Sequence, residues 1–187
     1  MLLMTWFNEP RNWKLADERL TVVADPGSDF WRKTHYGFIR DSGHFFYESV
    51  TGDFQVETEF SGKYAALYDQ AGVMIRLDES VWLKTGIEYV NGVHYVSAVV
   101  TRDFSDWSVL PFRDYPGSLR LRLKREVATI MIEYFAPGVG WVMFRTTYLS
   151  PAEELQVGRM VAAPEGPGFE TVFSEYRTQI FSNAAPT

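Results

Sequence analysis

Three glutamates, Glu57, Glu59 and Glu88, have the residue type and spacing that could carry out acid–base chemistry. Glycoside hydrolysis uses two carboxyl groups, about 5–5.5 Å apart in retaining enzymes and about 6.5–9.5 Å apart in inverting ones. Glu57 and Glu59 are two residues apart in a strand-like segment, so both lie on one face of that strand. One hypothesis is therefore a glycoside hydrolase or related sugar-active enzyme that uses Glu88 with Glu57 or Glu59. Acids on a polar strand face are, however, more often simply solvated.

Other catalytic and metal chemistries lack the residues that they need. The chain has no cysteine, which removes disulfides, thiolate zinc sites and cysteine nucleophiles. Its three histidines are His35, His44 and His94, and none has a second histidine at metal-ligand spacing. A phosphate-binding loop and a Ser-His-Asp order are also missing. We therefore predict no metal and no cofactor, and we favour a function that is not enzymatic.

Charge and hydropathy limit the partners. The chain of 187 residues has 24 acidic and 18 basic residues and a net charge of -6, so its surface should repel phosphate backbones and anionic lipid. The initial MLLM is shorter than the ~7–15 residue apolar segment of a signal peptide. No later stretch approaches the ~18 apolar residues that span a bilayer. We expect a cytoplasmic protein with no nucleic-acid or membrane partner, and with a saccharide or another protein as its candidate partner.

Apolar and polar residues alternate with period two over most of the chain, as in FQVETEF (54–60), LRLRLK (119–124) and TIMIEYF (129–135). Turn-forming residues interrupt this pattern at short intervals, which predicts about a dozen antiparallel strands. Only SPAEEL (150–155) has the pattern of a helical turn. The predicted fold is all-β, one domain over 1–187, with two antiparallel sheets packed as a jelly-roll sandwich. A closed barrel is the alternative.

Residues 70–100 predict three strands whose pairing follows from keeping apolar side chains on one face. Asn91-Gly92 is a strong signal for a two-residue hairpin turn. A three-residue loop over 78–80 completes the other hairpin, because a two-residue loop would place apolar side chains opposite polar ones. Such loops usually have glycine at their third position, and this one has serine.

On the polar face of these strands, the predicted register places Gly72, Gly86 and Ser97 side by side. We call this row the small-residue strip; it is roughly 10 Å wide, because neighbouring strands lie ~4.8 Å apart. Glycine inside a strand is expected where another group approaches the backbone closely. Either part of this protein fills the strip, or the strip is a ligand groove. The residues on its rims are Gln70, Met74, Arg76, Trp82, Lys84, Glu88 and Tyr95.

Two pairs of rim residues carry specific expectations. Trp82 lies opposite Arg76 in the predicted register, which allows a cation–π contact between them. Lys84 and Glu88 are about 13 Å apart along a strand, at ~3.3 Å per residue, and cannot touch. Each must find another partner, a ligand, or solvent.

Several segments together resemble the regulation-of-enolase-like family, also called domain of unknown function 1349. They are GDF (52–54), QAGVMIRLD (70–78), VWLKTGIEYVNG (81–92), SAVVT (97–101), SDWS (105–108), LRLRLKR (119–125) and Trp141 with Arg145. The resemblance implies a concanavalin A-like lectin/glucanase sandwich of two curved antiparallel sheets, and it implies no defined reaction. The expectation that Asp106, Trp107 and Arg145 lie beside the small-residue strip comes from this resemblance alone.

The first hypothesis for function is a non-enzymatic module that binds a carbohydrate or similar polar ligand on one sheet face. The tryptophans stack on the ligand, the cationic side chains donate hydrogen bonds, and the carboxylates accept them. Besides the enzyme above, a third hypothesis is an intracellular protein–protein interaction module with a regulatory role in sugar metabolism, whose strip receives a partner's loop. The predicted ligand-binding residues are Gly72, Arg76, Trp82, Lys84, Gly86, Glu88, Ser97, Asp106, Trp107 and Arg145.

Overall fold

Two seven-stranded antiparallel sheets and one two-stranded hairpin make up the computed structural model, which describes residues 4–181. The first sheet has the strand order β1-β6-β15-β8-β9-β10-β11, and the second has the order β14-β13-β12-β7-β16-β3-β2. The hairpin is β4-β5. The strands are Thr5–Phe7 (β1), Asn12–Ala16 (β2), Arg19–Val23 (β3), Phe30–Arg32 (β4), Ile39–Asp41 (β5), His44–Thr51 (β6), Asp53–Gly62 (β7), Gln70–Arg76 (β8), Val81–Val90 (β9), Val93–Arg102 (β10), Phe104–Pro111 (β11), Leu119–Glu126 (β12), Thr129–Ala136 (β13), Gly140–Tyr148 (β14), Glu154–Ala162 (β15) and Glu170–Phe181 (β16).

The predicted all-β sandwich is confirmed, and the two separate sheets exclude the closed barrel. The helical turn predicted over 150–155 is wrong. There Ser150 Oγ accepts a hydrogen bond from the Ala152 amide at 3.1 Å, and the chain enters β15 at Glu154. Within residues 4–181, no helix is long and apolar enough to cross a membrane.

The core lies between the sheets and is built by the alternation of side chains along each strand. In β7, for example, Phe54, Val56 and Phe60 are fully buried and Thr58 is buried with them, while Gln55, Glu57 and Glu59 face away from the core. Ile75 and Leu83 contribute to the same core from the first sheet. Each sheet therefore has one face in the core and one outer face.

The predicted register of residues 70–100 is confirmed at every pair. Asn91 and Gly92 both have positive φ, at 49° and 84°, as a two-residue hairpin turn requires. The three-residue loop over 78–80 needs no glycine, because the side chain of Asp78 holds it. Asp78 Oδ1 accepts hydrogen bonds from the amides of Ser80 and Val81 at 2.7 and 2.9 Å.

Gly72 and Gly86 face each other on β8 and β9 because the two backbones approach too closely for side chains. A Cβ on Gly72 would lie 2.0 Å from the carbonyl oxygen of Thr85, and a Cβ on Gly86 would lie 2.0 Å from that of Ala71. The close approach expected at these glycines is therefore made by the neighbouring strand. The small-residue strip is buried, and the void above it holds only about 10 Å³.

The hairpin β4-β5 covers much of the outer face of the first sheet. Phe30 packs against Trp82, with ring centroids 6.1 Å apart. Asp41 binds the guanidinium of Arg76 through two hydrogen bonds of 2.8 Å. The contact between the hairpin and the sheet buries a second apolar cluster outside the main core. Its buried members are Phe30, Trp31, Phe45, Met74, Trp82, Val99 and Met160.

A methyl group at the strip should force β8 and β9 apart. We expect Gly86→Ala to lower the free energy of unfolding by about 3 kcal/mol, because the added Cβ meets backbone atoms that cannot rotate away. Gly52→Ala is the control, because a Cβ there meets nothing within 4 Å and costs only the positive φ, about 1–2 kcal/mol. Urea unfolding measures both. Equal losses in the two variants would contradict the close approach.

Candidate ligand-binding site

A pocket of about 150 Å³ opens on the outer face of the first sheet, at one end of the small-residue strip. Strands β8 and β9 supply its polar floor. Its walls come from β4, the loop before β5, the loop before β8, and β11. We call it the aromatic pocket; its lining residues are Asp29, Trp31, Tyr36, Phe38, Arg40, Tyr68, Gln70, Lys84, Glu88, Trp107, Pro164 and Glu165.

Lys84 is buried in the floor, and its charge is satisfied by oxygen atoms around it. Its Nζ donates to the carbonyl of Phe30 at 2.7 Å and to Gln70 Oε1 at 2.6 Å. Asp29 Oδ1 lies 3.6 Å from the same nitrogen. These contacts join the hairpin to the sheet and hold the ammonium group still.

Glu88 lies on the same face as Lys84, and only one of its two carboxylate oxygens is occupied. Its Oε2 accepts hydrogen bonds from Ser97 Oγ at 2.7 Å and Trp107 Nε1 at 2.8 Å. In the part of the chain that the structure describes, no group donates to Oε1. Burial raises the pKa of Glu88, while Lys84 and the two hydrogen bonds partly oppose that rise. Oε1 is the acceptor that a ligand could use.

Aromatic rings form the walls and the entrance. The ring of Tyr36 lies 5.7 Å from that of Trp31 and 5.2 Å from that of Phe38, and Trp107 lies 6.3 Å from Tyr68. The hydroxyls of Tyr36 and Tyr68 meet at 3.4 Å, and this hydrogen bond raises the pKa of Tyr68 to about 12. Tyr36 and Trp107 remain 47% and 38% exposed. Both rings can therefore be reached from solvent.

A wider depression of about 590 Å³ lies on the other side of the same rings. Trp31, Tyr36 and Trp107 border both spaces, so a ligand larger than the aromatic pocket could continue past them. The other residues that line the depression are Thr34, His35, Ser105 and Asp106. In residues 4–181, no group of three or more His, Asp or Glu side chains could hold a metal ion.

Some predicted ligand-binding residues do come together. Lys84, Glu88 and Trp107 line the aromatic pocket, and Ser97 positions Glu88. Gly72 and Gly86 lie in the closed strip and cannot contact a ligand in this arrangement.

Two predicted residues are covered by the hairpin. Trp82 is 1% exposed and lies under Phe30, so it cannot stack on a ligand. Arg76 is 5% exposed, and its guanidinium binds Asp41 and lies over the ring of Phe7 at 4.4 Å, instead of over Trp82. The expected Arg76–Trp82 cation–π contact is therefore not formed, and Arg76 contacts Phe7 and Asp41 instead.

Asp106 and Arg145 belong to a different contact. Arg145 is on β14 of the second sheet, and it donates to Asp106 Oδ2 at 3.1 Å and to Ser108 Oγ. Asp106 pairs with Val100, a core residue, so its side chain leaves β11 on the side opposite to Trp107. Asp106 borders the wider depression, but its carboxylate joins the two sheets at their edges.

The proposed pairing of Glu88 with Glu57 or Glu59 is wrong. Ile87 lies in the core, so Glu88 faces outward from the first sheet. Glu57 and Glu59 alternate with core residues of β7 and face outward from the second sheet. The sandwich core therefore separates them from Glu88, which excludes the spacing that glycosidase chemistry needs.

The walls of the aromatic pocket were missed by the strand analysis. Trp31, Tyr36 and Phe38 all come from the segment FWRKTHYGF (30–38), and Tyr68 comes from another loop. A cluster of aromatic residues in a loop is the signal that could have found them, because a loop has no core face to bury rings.

Two packed antiparallel sheets, with a pocket outside one of them, define an antiparallel β-sandwich protein. Residues 6–180 match the family described as Protein of unknown function (DUF1349), and the chain belongs to this family. A relative from Saccharomyces cerevisiae, Regulation of enolase protein 1, is 36% identical over 172 residues, 92% of this chain and 87% of the relative. The resemblance noted in the sequence is thus confirmed.

Solved structures show the same fold. The crystal structure of a functionally unknown protein from Saccharomyces cerevisiae has a TM-score of 0.91 and 34% identity, and covers 96% of this chain and 97% of that one. Bacteroides ovatus Xyloglucan PUL GH43B has a TM-score of 0.73 at 14% identity. This chain is covered to 95% but spans 36% of that protein, and the likeness shows the fold alone.

The raised pKa of Glu88 should appear in the stability of the protein. Between its unfolded and folded pKa values, the folded state holds more protons, so ionising Glu88 costs stability as pH rises through that interval. We expect the free energy of unfolding of the native protein, relative to Glu88→Gln, to fall as pH rises above about 4 and then to level off. Urea unfolding from pH 4 to 8 measures this. Ser97→Ala keeps the carboxyl group and should retain the trend, whereas a difference that is constant or rises with pH would contradict it.

Proposed function

We propose that this protein is a non-enzymatic binding module that takes one ring of a saccharide, or a similar polar ligand, in the aromatic pocket. The observation that carries the proposal is an exposed aromatic wall above a floor of fixed polar groups. Trp107 and Tyr36 offer ring faces, and Glu88 offers a free acceptor. Sugars need both kinds of contact, because their rings have apolar C–H faces and polar edges.

The floor is ready to bind before a ligand arrives. Lys84 is held by Phe30 and Gln70, and Glu88 is held by Ser97 and Trp107, so neither has to be ordered by the ligand. Groups that are already fixed lose little conformational entropy on binding, which favours affinity. Trp107 has two tasks, because its indole N–H orients Glu88 while its ring remains accessible.

The size of the pocket limits the ligand. Its volume of about 150 Å³ is below the roughly 300–1,000 Å³ of pockets that hold drug-sized ligands. The pocket therefore suits a single ring, with further units lying in the depression beyond Tyr36 and Trp107. A short oligosaccharide fits this arrangement better than a large flat cofactor.

The names of the family relatives identify no ligand. The name Regulation of enolase protein 1 describes a regulatory effect of the yeast relative. The strip has no room for a partner's loop, as the third hypothesis requires, because Gly72 and Gly86 are packed against backbone and the strip is closed.

A second candidate function is a sugar-active enzyme with Glu88 as its general acid. The observation in its favour is the raised pKa of Glu88 beside aromatic rings, which is how a carboxyl group is kept protonated for proton donation. Glu165 and Asp29 are the other carboxyl groups that line the same pocket, and Asp29 is the buried one. Its Oδ1 already accepts from the amide of Phe30 at 2.8 Å and lies 3.6 Å from Lys84 Nζ, which suits it for positioning.

Glycan binding by matched tryptophan variants tests the proposal. We expect Trp107→Ala to weaken binding of a hit from a glycan array by at least tenfold, since stacking and the orientation of Glu88 are lost together. Trp13→Ala is the control, because Trp13 is also 38% exposed and also donates to a glutamate, Glu9, but lies in the second sheet. Isothermal titration calorimetry measures both. An equal effect of the two variants, or no hit on a broad array, would overturn the proposal.

Turnover distinguishes the two candidate functions. The binding module predicts no release of product from a broad panel of aryl-glycosides. Turnover that disappears in Glu88→Gln, while glycan binding persists, would replace the binding module with the enzyme.

A further inference from the structure

A second cavity, of about 660 Å³, is lined by residues of both sheets and shares none of them with the aromatic pocket. It opens between β16 and the turn that joins β2 to β3. We call it the edge cavity; the residues that line it are Met4, Leu15, Asp17, Glu18, Phe46, Glu48, Glu57, Arg159, Ser174, Glu175, Tyr176, Arg177, Thr178 and Ile180.

The floor of the edge cavity contains Arg159, a buried guanidinium without an ion pair. Arg159 is 3% exposed, and its planar guanidinium lies between two aromatic rings. Its Cζ is 5.1 Å from the ring centroid of Phe46 and 4.7 Å from that of Tyr176. In residues 4–181, no carboxylate oxygen lies within 4.0 Å of it, and no group accepts from its Nε. Its other two nitrogens contact the Glu18 carbonyl at 3.3 Å and Met4 Sδ at 3.1 Å.

This arrangement is costly unless an anion completes it. A buried charge with poor partners destabilises a fold, because its lost hydration is not replaced. Glu48 is a buried acid that also lines the cavity, but its Oε1 accepts hydrogen bonds from Thr178 Oγ1 at 2.5 Å and Tyr176 Oη at 3.3 Å. Burial lowers the pKa of Arg159 to about 10, so the guanidinium is still charged near neutral pH. Its planar N–H groups suit a carboxylate.

The wall of the edge cavity is the unpaired edge of a strand. Strand β3 pairs with β16 only as far as Phe173, where it meets Leu20. Beyond that point, among the residues described, β16 pairs only with β7. Residues Ser174 to Thr178 line the cavity, just after the register shift between Phe173 and Glu175. Among the residues described, the side of β16 opposite β7 has no strand partner along this stretch.

Acidic side chains outnumber basic ones at the entrance. Asp17, Glu18 and Glu175 are exposed and line the cavity, together with one exposed basic residue, Arg177. The acids would repel a ligand that is purely anionic, and they favour a ligand that carries positive charge behind its anionic group.

We propose that the edge cavity binds the C-terminal end of an extended peptide, with its α-carboxylate on Arg159, its backbone added to the edge of β16, and basic side chains near the acidic entrance. Strand addition supplies backbone hydrogen bonds, and capture of the terminal carboxylate sets the register. This site shares no lining residue with the saccharide site, which lies on the outer face of the first sheet.

The test uses the full chain and a pool of randomised, acetylated pentapeptides made once with a free C-terminal carboxylate and once amidated. We expect retention from the free-acid pool alone, enriched in Lys and Arg. No retention, or equal retention of amidated peptides, would overturn the proposal. N-acetylvaline tests the strand edge: if it competes as strongly as a retained pentapeptide, the site takes a small carboxylate and not a peptide end.

Variants locate the binding. We expect Arg159→Gln to weaken the binding of a retained peptide by at least tenfold. Arg159→Lys should restore only part of this affinity, since a lysine lacks the planar guanidinium. Arg145→Gln, at the other edge of the sandwich, is the control and should bind normally. Glu175→Lys changes an exposed residue and leaves Arg159 in place. It should weaken the binding of basic peptides severalfold, so the proposal stays testable if Arg159→Gln does not fold. The proposal is contradicted if peptide binding is unchanged in a folded Arg159→Gln variant, as shown by a normal unfolding transition, or in Glu175→Lys.

Discussion

The outer face of the first sheet depends on two buried cations that attach the hairpin β4-β5 to it. Arg76 holds Asp41 through two hydrogen bonds, and Lys84 holds the carbonyl of Phe30. Both cations are on the face that the period-two pattern assigns to solvent. Their charges would be costly to bury alone, so the hairpin and the sheet satisfy each other. Without this attachment, Phe30 and Trp82 would be exposed, and the aromatic pocket would lose one wall.

The same constraint explains why the site is where it is. Closure of the strip by neighbouring backbone and by the hairpin leaves space only at one end, where Lys84 and Glu88 remain beside Trp107. Lys84 and Glu88 do not touch, as expected four residues apart on a strand, and each has found separate partners. Among the residues described, no group donates to the second carboxylate oxygen of Glu88. The chemistry of the pocket therefore follows from the unequal satisfaction of two neighbouring charges.

Local pattern was enough to predict the sandwich and the register of β8, β9 and β10, because alternation and the Asn91-Gly92 turn act within short distances. It also predicted that Gly72 and Gly86 face each other. It could not predict what covers them, because Phe30 and Trp82 are distant in sequence and meet only after the sheet has formed. The pairing of Glu88 with Glu57 or Glu59 failed for a related reason. Strand alternation shows that each acid faces outward, but not that they face outward from different sheets.

Nuclear magnetic resonance of the indole N–H groups during glycan titration tests the central claim most directly. Trp107 Nε1 donates to Glu88 at the floor of the aromatic pocket, and Trp13 Nε1 donates to Glu9 in the other sheet. If the aromatic pocket is the ligand site, the Trp107 resonance shifts in proportion to occupancy while the Trp13 resonance stays in place. A bound glycan that leaves Trp107 unchanged, or that shifts Trp13 instead, would contradict the account.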